Sequence, residues 1–218
     1  MYHQIITFTL QTSHKHGDIL KKLFKFRHKG FIEEQGWNVQ SYDGLEFDKY
    51  DNPFAHYIVI LDKNDIVACS RINRTDISYM AKDCWSEHIP PEELPCSKEI
   101  YEWTRVYISP YQSKIQQMQF MYLILTSTYA YSAKIGVTEL CYVTYQTLVN
   151  STKKLEMQVT DVTNFEIPND RNPNIKETLH FAKCKVSVDQ ARIVIKNCIK
   201  SMPQVNATLL EDIFRIHS

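Results

Sequence analysis

The sequence predicts an α/β fold built on one mixed, twisted sheet flanked by helices. Three observations carry this. Residues 55–61 and 66–72 are apolar, branched runs separated by Asp62-Lys63-Asn64-Asp65, which is hairpin-turn chemistry. Residues 113–134 form a long, largely apolar stretch of helical length that needs a sheet to bury it. The segments follow in the order helix, antiparallel strands, strand, long helix, strand, helix, strands. That order is not the strict βαβ alternation of a doubly wound fold.

Each element has its own signal. Residues 18–35 predict a helix: Ile19, Leu20, Leu23, Phe24, Arg27 and Phe31 fall near one face, Gly17-Asp18 start it and Gly36 stops it. Residues 39–53, rich in Asp, Gly and Tyr, read as a loop with one short strand. Pro90, Pro91 and Pro95 make 73–98 a long, partly irregular connection. Residues 99–109 hold Ile100, Trp103, Val106 and Ile108 in a strand that Pro110 ends. A strand at 138–144, a short helix at 146–155, strands near 157–165 and 177–187, a closing helix at 189–202 and a further one at 205–217 complete the chain. This order resembles the GNAT acyltransferase fold. The expected organisation is a catalytic domain over 1–188, with 189–218 as a helical segment packed on it.

Composition excludes several classes. Lys+Arg and Asp+Glu both number 25, so no strongly basic domain addresses a nucleic acid. The cysteines at 69, 84, 96, 141, 184 and 198 contain no CxxC pair, which argues against a zinc ribbon or thioredoxin-type site and for reduced thiols. His14 and His16 are two potential ligands where a zinc site needs three or four, so no metal is expected. The first ten residues lack a basic start followed by an apolar run, and the most apolar window, 120–133, is too short to span a bilayer. The expectation is a soluble, cytoplasmic protein without membrane insertion.

The chemistry-bearing residues cluster around the first strands. Asp48 and Asp51 lie in Glu46-Phe-Asp48-Lys-Tyr-Asp51, Arg71 ends Val67-Ala-Cys-Ser-Arg71, and Glu102 and Arg105 lie in Tyr101-Glu102-Trp-Thr-Arg105. Arg27 and Trp37 bracket the first helix. In a regular strand Glu102 and Arg105 point to opposite faces, whereas a β-bulge returns both to one side. Taken singly, the aspartates also suit ordinary turn chemistry, and the charged strand a solvated edge.

As a set, Arg27, Phe31, Trp37, Asp48, Asp51, Arg71, Glu102 and Arg105 resemble the pattern of the LuxI-type acyl-homoserine-lactone synthases, in order and with similar spacing. The surrounding stretches RHKGFIEEQGW, GLEFDKYD, ACSRIN and YEWTR fit as well. The likeness is strong over 20–110 and weak beyond about 145. It implies an acyltransferase for quorum sensing. The amine of S-adenosylmethionine, a substrate and not a cofactor, attacks an acyl thioester on an acyl carrier protein. The substrate carboxylate then closes the lactone and releases methylthioadenosine.

The resemblance implies roles. Glu102 takes the amine proton, with Arg105 and Asp48 in the catalytic group. Arg71 and Arg105 fix the Glu102 and substrate carboxylates. Arg27, Phe31, Trp37, Asp48, Asp51 and Arg71 bind S-adenosylmethionine, and the bulged strand supplies N–H groups to the oxyanion. Trp103, Val143 and Thr144 line the acyl chain, and Lys134, Lys153 and Lys154 are candidates for carrier docking. None of the five glycines lies between 106 and 118, so no Gly-rich pyrophosphate cradle precedes the long helix, which suits a carrier-bound arm better than coenzyme A. Two alternatives stay open: an N-acyl-amino-acid synthase on the same scaffold, and a non-catalytic acyl-carrier-binding module.

Overall fold

The structure is a computed structural model that describes residues 3–202 and Leu210. Its strands are β1 (His3–Thr9), β2 (Ser41–Tyr42), β3 (Leu45–Glu46), β4 (His56–Asp62), β5 (Asp65–Arg74), β6 (Ile100–Ile108), β7 (Glu139–Thr144), β8 (Gln158–Pro168) and β9 (Lys176–Lys185). Its α-helices are α1 (Ile19–Arg27), α2 (Met80–Trp85), α3 (Lys114–Lys134), α4 (Gln146–Lys154) and α5 (Val188–Ser201). Seven strands form one sheet in the order β1-β4-β5-β6-β7-β9-β8. Every neighbour pair is antiparallel except β6 and β7.

The central strands are buried on both sides, which is why they read as apolar runs and not as alternating ones. Along β4, Tyr57, Val59 and Leu61 face a core under α1, while Ile58 and Ile60 face the larger core under α3. That larger core also holds Val194, Ile195 and Cys198 of α5, so the closing helix packs on the same body. α3 starts at a full capping box, with Ser113 and Gln116 bonding each other's backbone N–H. The parallel β6–β7 pairing covers only Ile100↔Glu139, Tyr101↔Leu140 and Glu102↔Cys141. Beyond it the strands part, and a wedge opens in the sheet from Trp103 and Tyr142 onward. This is the GNAT-like mixed sheet flanked by helices.

Several elements depart from the sequence reading. β1 was not assigned; it is an edge strand of mixed Ile and Thr, too short to show a period. The expected helix over 18–35 is α-helical only to Arg27 and continues as a π-helical turn over His28–Glu34. Packing requires Gly30 within this turn, because a Cβ there would collide with the Tyr107 ring. Residues 39–53 hold two tiny strands, joined by Asp43 and Gly44, both at positive φ as a tight hairpin turn requires. The connection 73–98 contains α2 and a short 3₁₀ turn at Pro91–Glu93. The helix expected over 205–217 lies outside the described residues apart from Leu210. No helix among the described residues is long and apolar enough to cross a membrane.

Candidate active site

The first helix carries Arg27 on the same face as Ile19 and Leu23, so its guanidinium is drawn under the sheet and is almost fully buried. A charge there needs partners. Arg27 Nε donates to Glu46 Oε2 at 2.5 Å, and Nη1 and Nη2 donate to Asp51 at 2.8 and 3.0 Å. Arg71, at the middle of β5 opposite Tyr57, donates through Nη1 and Nη2 to Asp48 at 2.6 and 3.1 Å, and Nη1 also lies 2.9 Å from Asp51 Oδ1. Arg105 donates to Glu46 Oε1 through Nε and Nη2 at 3.1 and 2.9 Å and to Asp48 Oδ2 at 2.8 Å.

These contacts close a ring: Arg27, Glu46, Arg105, Asp48, Arg71, Asp51 and back to Arg27. Three guanidiniums balance three carboxylates, and each guanidinium meets two carboxylates. Such geometry is what lets buried ions recover their desolvation. Burial alone would raise the Asp51 carboxyl, but Arg71 and Arg27 pull it well below the usual carboxylate range. Tyr57 adds its hydroxyl to Asp51 at 3.0 Å, and Thr104 accepts Arg71 Nε at 3.1 Å. Asp48 is the member that opens outward, 13% exposed against 0–4% for the others.

Arg105 reaches this ring through the anticipated bulge. The β5–β6 register slips between Cys69↔Tyr107 and Arg71↔Thr104, and Arg105 takes φ +55°. The extra residue puts Glu102, Thr104 and Arg105 on one face. Glu102 is fully buried beside the ring. It accepts the N–H of Met80 at 2.8 Å and of Ala81 at 2.5 Å, the two residues that open α2. Burial pushes its carboxyl up to about 7, against the opposing pull of those N–H groups and of Arg71 and Arg105. The sequence reading gave Arg71 and Arg105 the task of fixing Glu102. The structure corrects this: their hydrogen bonds go to ring carboxylates, to Thr104 and to Met80 Sδ, while backbone N–H groups hold Glu102.

The aromatic pair is also assembled. Phe31 and Trp37 stack at 4.8 Å with 19° between planes, and the Arg105 guanidinium lies 5.4 Å from the Phe31 ring centre. Phe31 is buried and Trp37 half-buried. Trp103 lies on the α3 side of the wedge, edge-on to Tyr142 at 5.7 Å. Val143 packs on the opposite side of the sheet near Phe181, and Thr144 sits half-buried at the end of β7 opposite His180. These three therefore do not share a face. Lys134, Lys153 and Lys154 are exposed at the end of the sheet where β7 begins, away from the wedge.

Two groups escaped the sequence reading. Glu46 shares the parity of Asp48 along Glu46-Phe-Asp48, which was the available signal. Asp83 gave none. It accepts from Lys49 Nζ at 2.5 Å, Ser78 Oγ at 2.5 Å and the Tyr50 hydroxyl at 3.2 Å, and so fastens α2 to the acidic loop.

Fold and site together define a GNAT-like scaffold, a mixed sheet flanked by helices, with a charge-balanced ionic core and a buried, protonatable carboxylate. A family model described as autoinducer synthase matches residues 11–164, which contain every ring member and Glu102. The acyl-homoserine-lactone synthase of Aeromonas salmonicida is 27% identical over 132 residues, 58% of this chain and 63% of that one. That of Vibrio anguillarum is 39% identical over 84 residues, 38% of this chain and 44% of that one. A solved CoA-dependent acyl-homoserine lactone synthase, BjaI, with SAM and isopentyl-CoA, superposes with a TM-score of 0.77 at 16% identity, covering 97% of this chain and 99% of that chain. The chain belongs to the autoinducer synthase family. It spans a little under two thirds of the length of the first of these curated relatives.

Proposed function

We propose that this chain is an acyl-homoserine-lactone synthase that transfers an acyl group from an acyl carrier protein to the amine of S-adenosylmethionine. The observation that carries the reading is Glu102, buried and raised to about 7, set on one face of the bulged strand beside the Arg27–Asp51 ring. A carboxyl near neutrality can accept a proton from an ammonium that must become a neutral amine before it attacks.

In the first step Glu102 takes one ammonium proton, the neutral amine nitrogen bonds to the thioester carbonyl carbon, and the carbon–sulfur bond breaks as the nitrogen's next proton passes to the departing sulfur, releasing the carrier thiol. The bulge leaves Arg105 and Val106 without a register partner on β5, and a backbone N–H at such a position suits a developing oxyanion. In the second step the carboxylate oxygen of the acylated substrate bonds to its γ-carbon, breaking the carbon–sulfonium bond and releasing methylthioadenosine. Trp37, half-exposed over Phe31, offers an aromatic face to the adenosine or sulfonium. Asp48, the outward member of the ring, orients the cationic end of the substrate. The ring itself acts as a rigid floor that holds Asp48, Thr104 and Arg105 in place.

The acyl chain enters the β6–β7 wedge, floored by Trp103 and Tyr142 with Thr144 at its rim. The turn 109–113 carries Pro110 and the exposed Tyr111 where a pyrophosphate cradle would need glycine. This favours a carrier-bound arm, although BjaI is described as CoA-dependent. The test is direct: mix the protein with labelled S-adenosylmethionine and either an acyl-carrier thioester or the same acyl-coenzyme A. Lactone and methylthioadenosine should form in equal amounts, and faster with the carrier. An N-acyl product without methylthioadenosine would instead mark an N-acyl-amino-acid synthase.

A further inference from the structure

The turn from β6 into α3 exposes a surface that the reaction site leaves unused. Tyr111, Ile115 and Met118 are 68, 65 and 50% exposed. Ile115 and Met118, three residues apart, share one side of the first turn of α3, and Tyr111 stands in the turn just before it. Exposed apolar residues are normally scattered, and a contiguous stripe bordered by polar groups marks an interaction site. The border here is cationic. The Lys29 ammonium sits 4.0 Å from the Tyr111 ring centre, Lys25 lies one turn back on the exposed side of α1, and Lys114 opens α3. Among the described residues these three lysines form no ion pair. The stripe stands at the end of the sheet where β6 and β7 have parted.

We propose that this surface docks the acyl carrier protein, an acidic partner whose carboxylates meet Lys25, Lys29 and Lys114 while an apolar side chain seats between Tyr111, Ile115 and Met118. The inference rests on the reading of the donor as a carrier thioester. Cations at the rim steer an acidic partner into place, and the apolar centre holds it. Position decides between this surface and Lys134, Lys153 and Lys154. α3 has 21 residues, so at 1.5 Å per residue Lys134 stands roughly 30 Å from its start. Lys153 and Lys154 lie toward that same far end, where Glu139, Lys185 and Gln158 pair across β7, β9 and β8. A carrier seated at the α3 start presents its thioester to the open wedge directly.

The experiment titrates a fluorescent hexanoyl-loaded acyl carrier protein with the wild type, with K25E/K29E/K114E and with K134E/K153E/K154E, at low and high salt. Each variant's melting temperature is checked against the wild type. The first triple variant should bind at least about tenfold more weakly, with most of the wild type's salt dependence gone, as expected when steering charges are removed. It should keep wild-type turnover on a small hexanoyl-N-acetylcysteamine thioester and an unchanged KM for S-adenosylmethionine. The second triple variant should bind as the wild type does. Unchanged binding by the first variant, a loss in the second instead, or no wild-type binding at all overturns the docking surface. The two readings separate cleanly. A wild type that binds the carrier through these lysines yet makes no lactone from any thioester refutes the synthase reading alone. Lactone synthesis that ignores the lysines refutes the docking alone.

Discussion

The Glu102 carboxylate rests on the N-terminus of α2, accepting the Ala81 N–H at 2.5 Å. Burial would otherwise leave that carboxyl with no polar contact, and the N–H groups of Ala81 and Met80 partly offset the cost. Its folded value of about 7 lies above the ordinary 4.5. Below about 4.5 the group is protonated in both states and carries no penalty. As pH rises toward 7 the unfolded chain ionises first, and the native state loses stability. At 1.36 kcal/mol per pKa unit the loss is at most about 3 kcal/mol. Glu102→Gln should therefore gain melting temperature relative to the wild type as pH is raised from about 4.5 to 7, then level off. A difference that does not change across that window would contradict the raised carboxyl.

Asp83 lies on the short helix whose first N–H groups hold the same carboxylate. Its bonds to Lys49, Ser78 and Tyr50 hold α2 against the loop that carries Asp48 and Asp51. Asp83→Asn should loosen α2, weaken the two N–H bonds that lower the Glu102 pKa, and move the midpoint of the pH–rate profile upward. A purely structural role would reduce stability and leave that midpoint where it was.

Glu46 joins Arg27 to Arg105 and is fully buried. Glu46→Gln leaves two guanidiniums under-neutralised. Removing one partner of a buried ion pair costs about 3–5 kcal/mol, so the urea midpoint should fall sharply. A loss of only a few tenths of a kcal/mol would mean that the ring is not closed through Glu46.

The elements and site residues differ in the kind of signal each carries in the sequence. β4, β5, β6 and α3 announce themselves because both faces of the central strands are buried and the long helix is apolar over most of its length. The bulge was readable from a physical conflict, since Glu102 and Arg105 could not otherwise share a face. β1 stays hidden because it is a short edge strand, and the π-helical turn because Phe31 continues the apolar spacing of the helix before it. Arg27, Asp48, Asp51 and Arg71 were found through the family pattern. Their mutual pairing was not, because a ring of six groups depends on tertiary geometry that spacing does not encode. Glu46 was overlooked for want of any apolar period in its two-residue strand.

Gly30 offers a separate check on packing. A methyl group there meets the Tyr107 ring at less than contact distance. Gly30→Ala should lower stability by about 1–3 kcal/mol, the usual range for overpacking. The same substitution removes no member of the ionic ring, so chemical denaturation reads the packing effect. A stabilising result would show that the Tyr107 ring can move aside freely.

Glu102 is proposed to take the proton from the attacking amine. The most direct test of this role is the rate of methylthioadenosine release by the wild type and by Glu102→Gln, with acyl-carrier thioester and S-adenosylmethionine both saturating and binding of S-adenosylmethionine measured alongside. The rate should fall by more than about tenfold, in keeping with a general base, while binding stays within a few-fold. Equal rates in the two proteins would contradict it.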